Sequence, residues 1–201
     1  MSFLTKIDIS FSLPVPTILI RAAIWLVLLY RRLRYGYMFR RIKLTRGQYA
    51  IVDPEDFERL NQYKWFCTYY GYAARKIPKK LRTGNETHVL MHRELCPAPD
   101  EMVVDHINRN PSDNRKANLR PATKQQNAWN AKIKNKSGGS RYTGIYFDKR
   151  KGKWSVHMTI DGCPRSFRYY ADEVEAAKAY DRVAKQYRGE FAVLNFPEQL
   201  A

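Results

Sequence analysis

The stretch VVDHINRNPSDNRKANLRPATKQQNAWNAK, residues 103–132, constrains this chain more than any other feature. Met102 to Ile107 reads as a short strand, Asn108 to Ala117 as a polar loop, and Asn118 to Arg120 as a second short strand. Thr123 is then placed to cap a helix. Gln126, three residues on, completes a capping box, and the helix is expected to run to about Lys134. A strand, a loop, a strand and a helix this close together leave room only for a small α+β unit. That unit carries Asp105 and His106 side by side, Asn118 twelve residues after the histidine, and Asn127 nine residues further on.

These residue types suit hydrolysis of a charged ester. An imidazole with a pKa near neutrality can take a proton from water. Asp105 can offer a carboxylate oxygen and Asn127, in the first turns of the helix, an amide oxygen to a hard divalent ion. Asn118 has both donor and acceptor, so it can bridge the loop and orient His106. Asn130, one turn beyond Asn127 on a similar face, is a second candidate; solvation of the helix surface is its other reading. Neighbours on a strand point to opposite faces. Asp105 and His106 can therefore share a site only if the strand ends or kinks at that point, as Asn108 to Pro111 suggest.

The partner is constrained by charge. Lys and Arg number 36 against 19 Asp and Glu, a formal +17, which favours an anionic polymer or surface. Fourteen tyrosines among these cations suit contacts with sugars and bases. Cys67, Cys96 and Cys163 are widely spaced and form no C-x-x-C pair, which argues against a zinc ribbon or a disulfide framework.

Residues 1–40 form an apolar and basic extension. Leu13 to Tyr30 is apolar apart from Thr17 and Arg21, with Arg31, Arg32 and Arg34 after it. One reading is a membrane anchor; the favoured one is an apolar helix preceding the folded part, because Arg21, Pro14 and Pro16 shorten any span. From Arg41 the pattern turns globular. A hairpin is expected around Arg46-Gly47, with Tyr49 to Val52 as its second strand. A short helix runs from Asp53, as cap, and Pro54 through Tyr63. Trp65 to Arg75 is rich in strand formers, Ile77 to Glu86 is a basic loop, and Val89 to Leu95 returns as a strand carrying His92. His92 reads as a structural histidine, with bordering the site or touching the substrate as its alternative.

The quartet, with the spacing D-H-x11-N-x8-N, the flanking VVDHIN and QQNAWNAK, and an upstream MHRELC, resembles the HNH family of ββα-metal nucleases, in the variant with Asn in the last place. The resemblance covers about 42–134. It implies a phosphodiester hydrolase of homing type with His106 as general base and Asn118 shaping the loop. Asp105 and Asn127 would hold one Mg2+ or Mn2+ ion per site. Members with Asn in the last place often nick one strand. A fold retained for binding alone, acting as a sequence-specific regulator, is the alternative.

Residues 135–140, rich in Ser and Gly, read as a linker. Beyond it, Thr143 to Phe147, Lys153 to Ile160 and Arg165 to Tyr170 look like three strands, with turns at Lys151-Gly152 and Asp161-Gly162. A helix follows from about Glu173 to Arg188, with Val174, Ala177, Tyr180, Ala184 and Tyr187 on one face, and Gly189 ends it. Trp154, Val156, Met158 and Ile160 should face this helix. Ser155, His157 and Thr159 should lie on an open face with Tyr146, Asp148 and Arg168. This unit, about 141–197, resembles the plant ethylene-response-factor type of DNA-binding domain. The resemblance rests on YTGIYFDKRKGKW, on Ala176 to Asp181 and on Leu194-Asn195-Phe196-Pro197. It implies a three-stranded antiparallel sheet packed on one helix. The DNA contacts would come from Arg141, Tyr146, Lys149, Arg150, Lys151, Lys153, His157, Thr159 and Arg168. Thr143, Tyr146 and Asp148 stand where plant members use arginines, so the target sequence does not carry over. The whole reads as a monomer acting on double-stranded DNA, with no small-molecule cofactor, in the cytoplasm of a bacterial or phage-infected host.

Overall fold

The computed structural model describes residues 16–82, 84–131 and 140–199. The expected linker, apart from Ser140, and the expected helix end near Lys134 lie outside these residues, as do the first residues of the extension. The chain mixes α and β structure in small antiparallel sheets around two separate apolar cores.

Helix α1 (Thr17–Tyr35) precedes the folded part and buries none of its residues. It ends at Gly36 in the left-handed conformation, and Arg31 ties it down by lying over the Phe39 ring and donating to the Phe39 carbonyl. Among the described residues, no helix is long and apolar enough to cross a membrane.

The first core is built from a hairpin of β1 (Arg40–Lys43) and β2 (Tyr49–Val52) and a three-stranded sheet of β3 (Trp65–Cys67), β4 (Ala73–Lys76) and β5 (His88–Leu90). Ile42, Val52, Leu60, Trp65 and Met91 meet in it. Helix α2 (Phe57–Asn61) follows a 3-10 turn at Pro54–Asp56. The expected cap from Asp53 does not form: its side chain makes no cap bond and instead accepts the backbone N–H of Lys116 at 2.7 Å. The run from Trp65 to Arg75 is broken into β3 and β4 by a turn at Thr68–Gly71. The basic loop contains a 3-10 turn at Lys79–Leu81.

One expectation fails outright. The strand foreseen over Val89 to Leu95 stops at Leu90, and helix α3 (Met91–Leu95) takes over. Met91 and Leu95, four residues apart, both enter the core, and His92 is buried with them. Burial of Met91, His92 and Leu95 with Arg93 exposed is the i, i+1, i+4 face of a helix, whereas a strand would set Arg93 on the same face as Met91 and Leu95.

Next come β6 (Val103–His106) and β7 (Leu119–Ala122), paired antiparallel, then helix α4 (Lys124–Asn130). The foreseen capping box is present: the Gln126 N–H donates to Thr123 Oγ1 at 3.1 Å, and Gln126 Oε1 accepts from the Thr123 N–H at 2.8 Å.

The second core lies under a sheet ordered β10-β9-β8, formed by β8 (Ile145–Asp148), β9 (Lys153–Ile160) and β10 (Cys163–Tyr170), with helix α5 (Glu173–Arg188) packed on it. Val156 and Met158 face α5 and His157 and Thr159 are exposed, as the alternation requires. Ser155 departs from its expected open position. It is buried because Tyr146 and Tyr169 flank it on the neighbouring strands. The helix face also differs: Ala176, Ala177, Tyr180 and Ala184 are buried, whereas Tyr187 is exposed. Gly144 is obligatory beneath this helix. Its φ is +73°, and a Cβ there would fall 2.0 Å from the Tyr180 ring.

Candidate functional site

Strand register decides what surrounds Asp105. In the β6–β7 ladder it stands opposite Arg120. Arg120 Nε donates to Asp105 Oδ2 at 2.9 Å, with Nη2 at the same distance. The amide that meets Asp105 belongs to Asn130, not to Asn127. Asn130 Nδ2 donates to Oδ1 and Oδ2 at 2.9 and 3.0 Å and to the His106 carbonyl at 2.9 Å. Asn130 is buried at the end of α4, where that helix packs on β6, while Asn127 is exposed one turn earlier. Sequence spacing alone placed both amides on a similar face; the seating of α4 separates them.

His106, at the last position of β6, turns to other neighbours. Its ring lies 5.1 Å from that of His92, edge to face, and 5.7 Å from that of Tyr72; His92 and Tyr72 are 5.1 Å apart. His106 and His92 are 6% and 5% exposed, and His106 Nε2 and His92 Nδ1 meet no hydrogen-bond partner. Burial lowers both pKa values. For His92 it acts with the charges of His106 and Arg93 and brings the value to about 3. For His106 it is partly opposed by the Asn114 amide, then by Asp105 and Asp113. Asn114 Oδ1 lies beside the ring without completing an aligned hydrogen bond. His106 is therefore held in the neutral form that can accept a proton.

Asn118 fixes the intervening loop. Its Oδ1 accepts the Asn108 N–H at 2.9 Å, and its Nδ2 donates to Asn108 Oδ1 at 3.0 Å and to the Asp113 carbonyl at 2.8 Å. Sequence reasoning missed three residues of this assembly: Asp113, Arg115 and Arg120. Asp113 is 2% exposed and accepts from Arg115 Nε at 2.8 Å, Arg115 Nη2 at 2.7 Å and Asn108 Nδ2 at 2.8 Å. The loop is also stitched to β2, through Ile51 N–H to the Ser112 carbonyl and Asn114 N–H to the Ile51 carbonyl. Arg115 stacks over Tyr37 at 3.3 Å. The D-x-R spacing was a visible local signal for the Asp113–Arg115 fork; nothing local announced Arg120.

A second acidic group stands apart from these residues. Asp53, Glu55 and Asp56 bring carboxylate oxygens within 4.8 Å of one another. Lys116 answers that charge, with Nζ 2.8 Å from Asp56 and 3.9 Å from Glu55. Burial raises the pKa of Asp53 against the pull of the Lys116 N–H.

On the second unit, Arg141, Tyr146, Lys149, Arg150, Lys151, Lys153, His157, Thr159 and Arg168 are all exposed. Tyr146 and His157 meet edge to face at 5.0 Å, His157 also touches Ser155, and Lys151 Nζ lies 3.8 Å from the Tyr169 ring centre. A bulge between Ser166 and Tyr169 shifts the register. Tyr169 consequently takes the position opposite Ser155, and Arg168 falls within the bulge. The two units touch where Arg120 donates to the Glu190 carbonyl and carboxylate at 3.1 Å and lies over Phe191 at 3.7 Å.

Residues 87–129, which contain His92, Asp105, His106, Asn118 and Asn127, match a family described as HNH endonuclease. An uncharacterised HNH endonuclease of Acanthamoeba polyphaga mimivirus, L560, is 26% identical over 150 residues, covering 75% of this chain and 76% of that protein. Protein 3.8 of Escherichia phage T7 is 32% identical over 119 residues, covering 59% of this chain and 97% of that protein. No solved structure gives a significant match. The chain thus carries an HNH endonuclease segment at residues 87–129, is similar over three quarters of its length to an HNH endonuclease, and covers almost the whole of the T7 protein.

Proposed function

We propose that the chain is a metal-dependent DNA endonuclease of homing type that nicks one strand, with His106 as general base. The observation that carries this reading is the pair at the end of β6. A buried carboxylate is clamped in one orientation by Arg120 and Asn130, and beside it stands a neutral histidine with an unpartnered ring nitrogen. Hydrolysis needs such a proton acceptor next to a hard oxygen donor.

The expected divalent ion, Mg2+ or Mn2+ and one per site, would fall to Asp105 and Asn127, although in the fold Asn130 rather than Asn127 meets the Asp105 carboxylate. Asp105 offers carboxylate oxygens and Asn127 an exposed amide oxygen, an all-oxygen set that leaves most positions to water and phosphate. When bound, the ion would neutralise charge on the scissile phosphate and on the departing oxygen. The chain's own groups do the rest. Arg120 and Asn130 keep Asp105 from rotating. Asn118 holds the loop from Asn108 to Asp113 in shape, and His106 takes the proton of the attacking water.

The second unit anchors the enzyme on duplex DNA. Its exposed face combines Tyr146, His157 and Thr159 with the cations Arg141, Lys149, Arg150, Lys151, Lys153 and Arg168, a composition suited to groove and phosphate contacts. The basic loop from Lys76 to Arg82 adds further phosphate contacts. The test is conversion of supercoiled plasmid to nicked circles in Mg2+ or Mn2+, abolished by His106→Ala. Linear product as the first product would remove nicking. Cleavage retained by His106→Ala would remove the assigned base, and DNA binding without cleavage under either metal would overturn the enzymatic reading.

A further inference from the structure

The turn between β3 and β4 displays two tyrosines that no apolar core explains. Tyr69 and Tyr70 are 90% and 76% exposed, and their rings meet edge to face at 5.3 Å. Large aromatic side chains left this bare, side by side, lack the burial that ordinarily stabilises them.

The turn holding them is rigid. The Thr68 N–H donates to the Tyr72 carbonyl at 2.8 Å, the Gly71 N–H to the Thr68 carbonyl at 3.1 Å, and the Tyr72 N–H to Thr68 Oγ1 at 3.0 Å. It is also fixed against the site. Gly71 has φ +87°, and a Cβ there would lie 3.0 Å from Pro111 Cγ, in the loop that Asn118 organises. The next residue, Tyr72, packs its ring on His92 and His106. The two exposed rings therefore stand at a set distance from the general base, on a chain of net charge +17.

The geometry points to Tyr69 and Tyr70 as a base-stacking wedge, engaging unstacked bases of the DNA next to the bond attacked by the water that His106 activates. This rests on the nuclease reading for its position, but not for its test. The phosphates and sugars on the outside of a duplex give planar apolar rings little to cover. The faces of bases do, once a step is opened, and aromatic side chains stack on them without regard to sequence. A turn whose backbone is already fixed by hydrogen bonds loses little freedom on binding. Opening a base step also exposes the adjoining phosphate to a recessed histidine.

The experiment uses the full chain in metal-free buffer, where no cleavage intervenes. The probes are two 30-base-pair duplexes of random sequence, one fully matched and one with a central two-base mismatch bubble containing 2-aminopurine. Wild type is expected to bind the bubble roughly fivefold or more tightly than the matched duplex, the effect of stacking one base on one ring, and to quench its fluorescence. Tyr69→Ala/Tyr70→Ala should lose both the preference and the quenching while keeping its affinity for the matched duplex. Tyr69→Phe/Tyr70→Phe should keep both. Equal affinity of wild type for the two probes, or an alanine variant that still prefers and quenches the bubble, overturns the wedge. Plasmid cleavage in Mg2+, run alongside, reports separately on the nuclease reading: loss of that reading alone leaves the bubble preference intact.

Discussion

Asp105 in the first unit and Asp181 in the second are both almost completely buried, and the two are satisfied in opposite ways. Asp181 on α5 accepts from neutral donors only: the Asn195 N–H at 2.8 Å, Asn195 Nδ2 at 3.1 Å and the Phe196 N–H at 2.8 Å. Its work is architectural, since it pins the segment after α5 against the helix, and Asn195 Oδ1 in turn accepts the Thr143 N–H. Asp105 is held by a guanidinium and an amide, and close by lie buried polar atoms that complete no aligned hydrogen bond: His106 Nε2, His92 Nδ1 and Asn114 Oδ1. Buried polar groups are nearly always paired, so a cluster of unpaired ones marks a place where something other than stability has set the residues. The contrast sets a carboxylate that holds the fold against the one assigned to chemistry in the proposed function.

The sharpest way to break this contrast is His106→Ala. Loss of general-base catalysis should lower plasmid nicking by about 10²–10⁴-fold, with far-ultraviolet circular dichroism unchanged. Arg120→Ala comes next. Leaving Asp105 buried without its cation should cost about 3–5 kcal/mol, read by urea unfolding; a cost within error of zero would mean that Asp105 is not desolvated. Asp181→Ala should cost about 1–3 kcal/mol for the donors left unpaired. Nicking per folded molecule should stay at the wild-type level, so a large drop in rate at full folding would erase the distinction between the two carboxylates.

A pH titration of stability sharpens the same point. His92 has an ordinary pKa of 6.5 when unfolded and about 3 in the fold. Between these values the unfolded chain binds more protons, so stability rises with pH across that window. The contribution is fully present above about pH 6.5 and is lost as pH falls through about 3. His92→Phe should flatten this acid limb in urea melts taken from pH 7 to pH 4; an unchanged limb would show that His92 is hydrated. The smallest effect concerns the second unit. Lys149→Ala/Arg150→Ala/Lys151→Ala should reduce the slope of log affinity against log salt by up to about 3, roughly 0.9 for each phosphate that is no longer neutralised.

Much of this was legible in the residues. Local rules placed the β1–β2 hairpin, the capping box at Thr123 and Gln126, and the alternation along β9, because each depends only on neighbours in sequence. His92 was misplaced on a strand because so short a run cannot settle helix against strand by pattern; the joint burial of Met91, His92 and Leu95, with Arg93 left outside, settled it. The bulge in β10, which exchanges Tyr169 for Arg168 opposite Ser155, likewise leaves no local signature.

The sequence by itself determined which chemistry is available. An aspartate, a histidine and asparagines within 30 residues, in a chain of charge +17, suit hydrolysis of a charged ester and favour an anionic partner. Only the tertiary structure decided how these groups are used. Strand register set Arg120 opposite Asp105, and the seating of α4 on β6 brought up Asn130 in place of Asn127. The packing of α3 and the Thr68–Gly71 turn enclosed His106 between His92 and Tyr72. Residue identity fixes what a side chain can donate, accept or ionise. Distance, burial and partner come from elements that meet only after the chain has closed on its core.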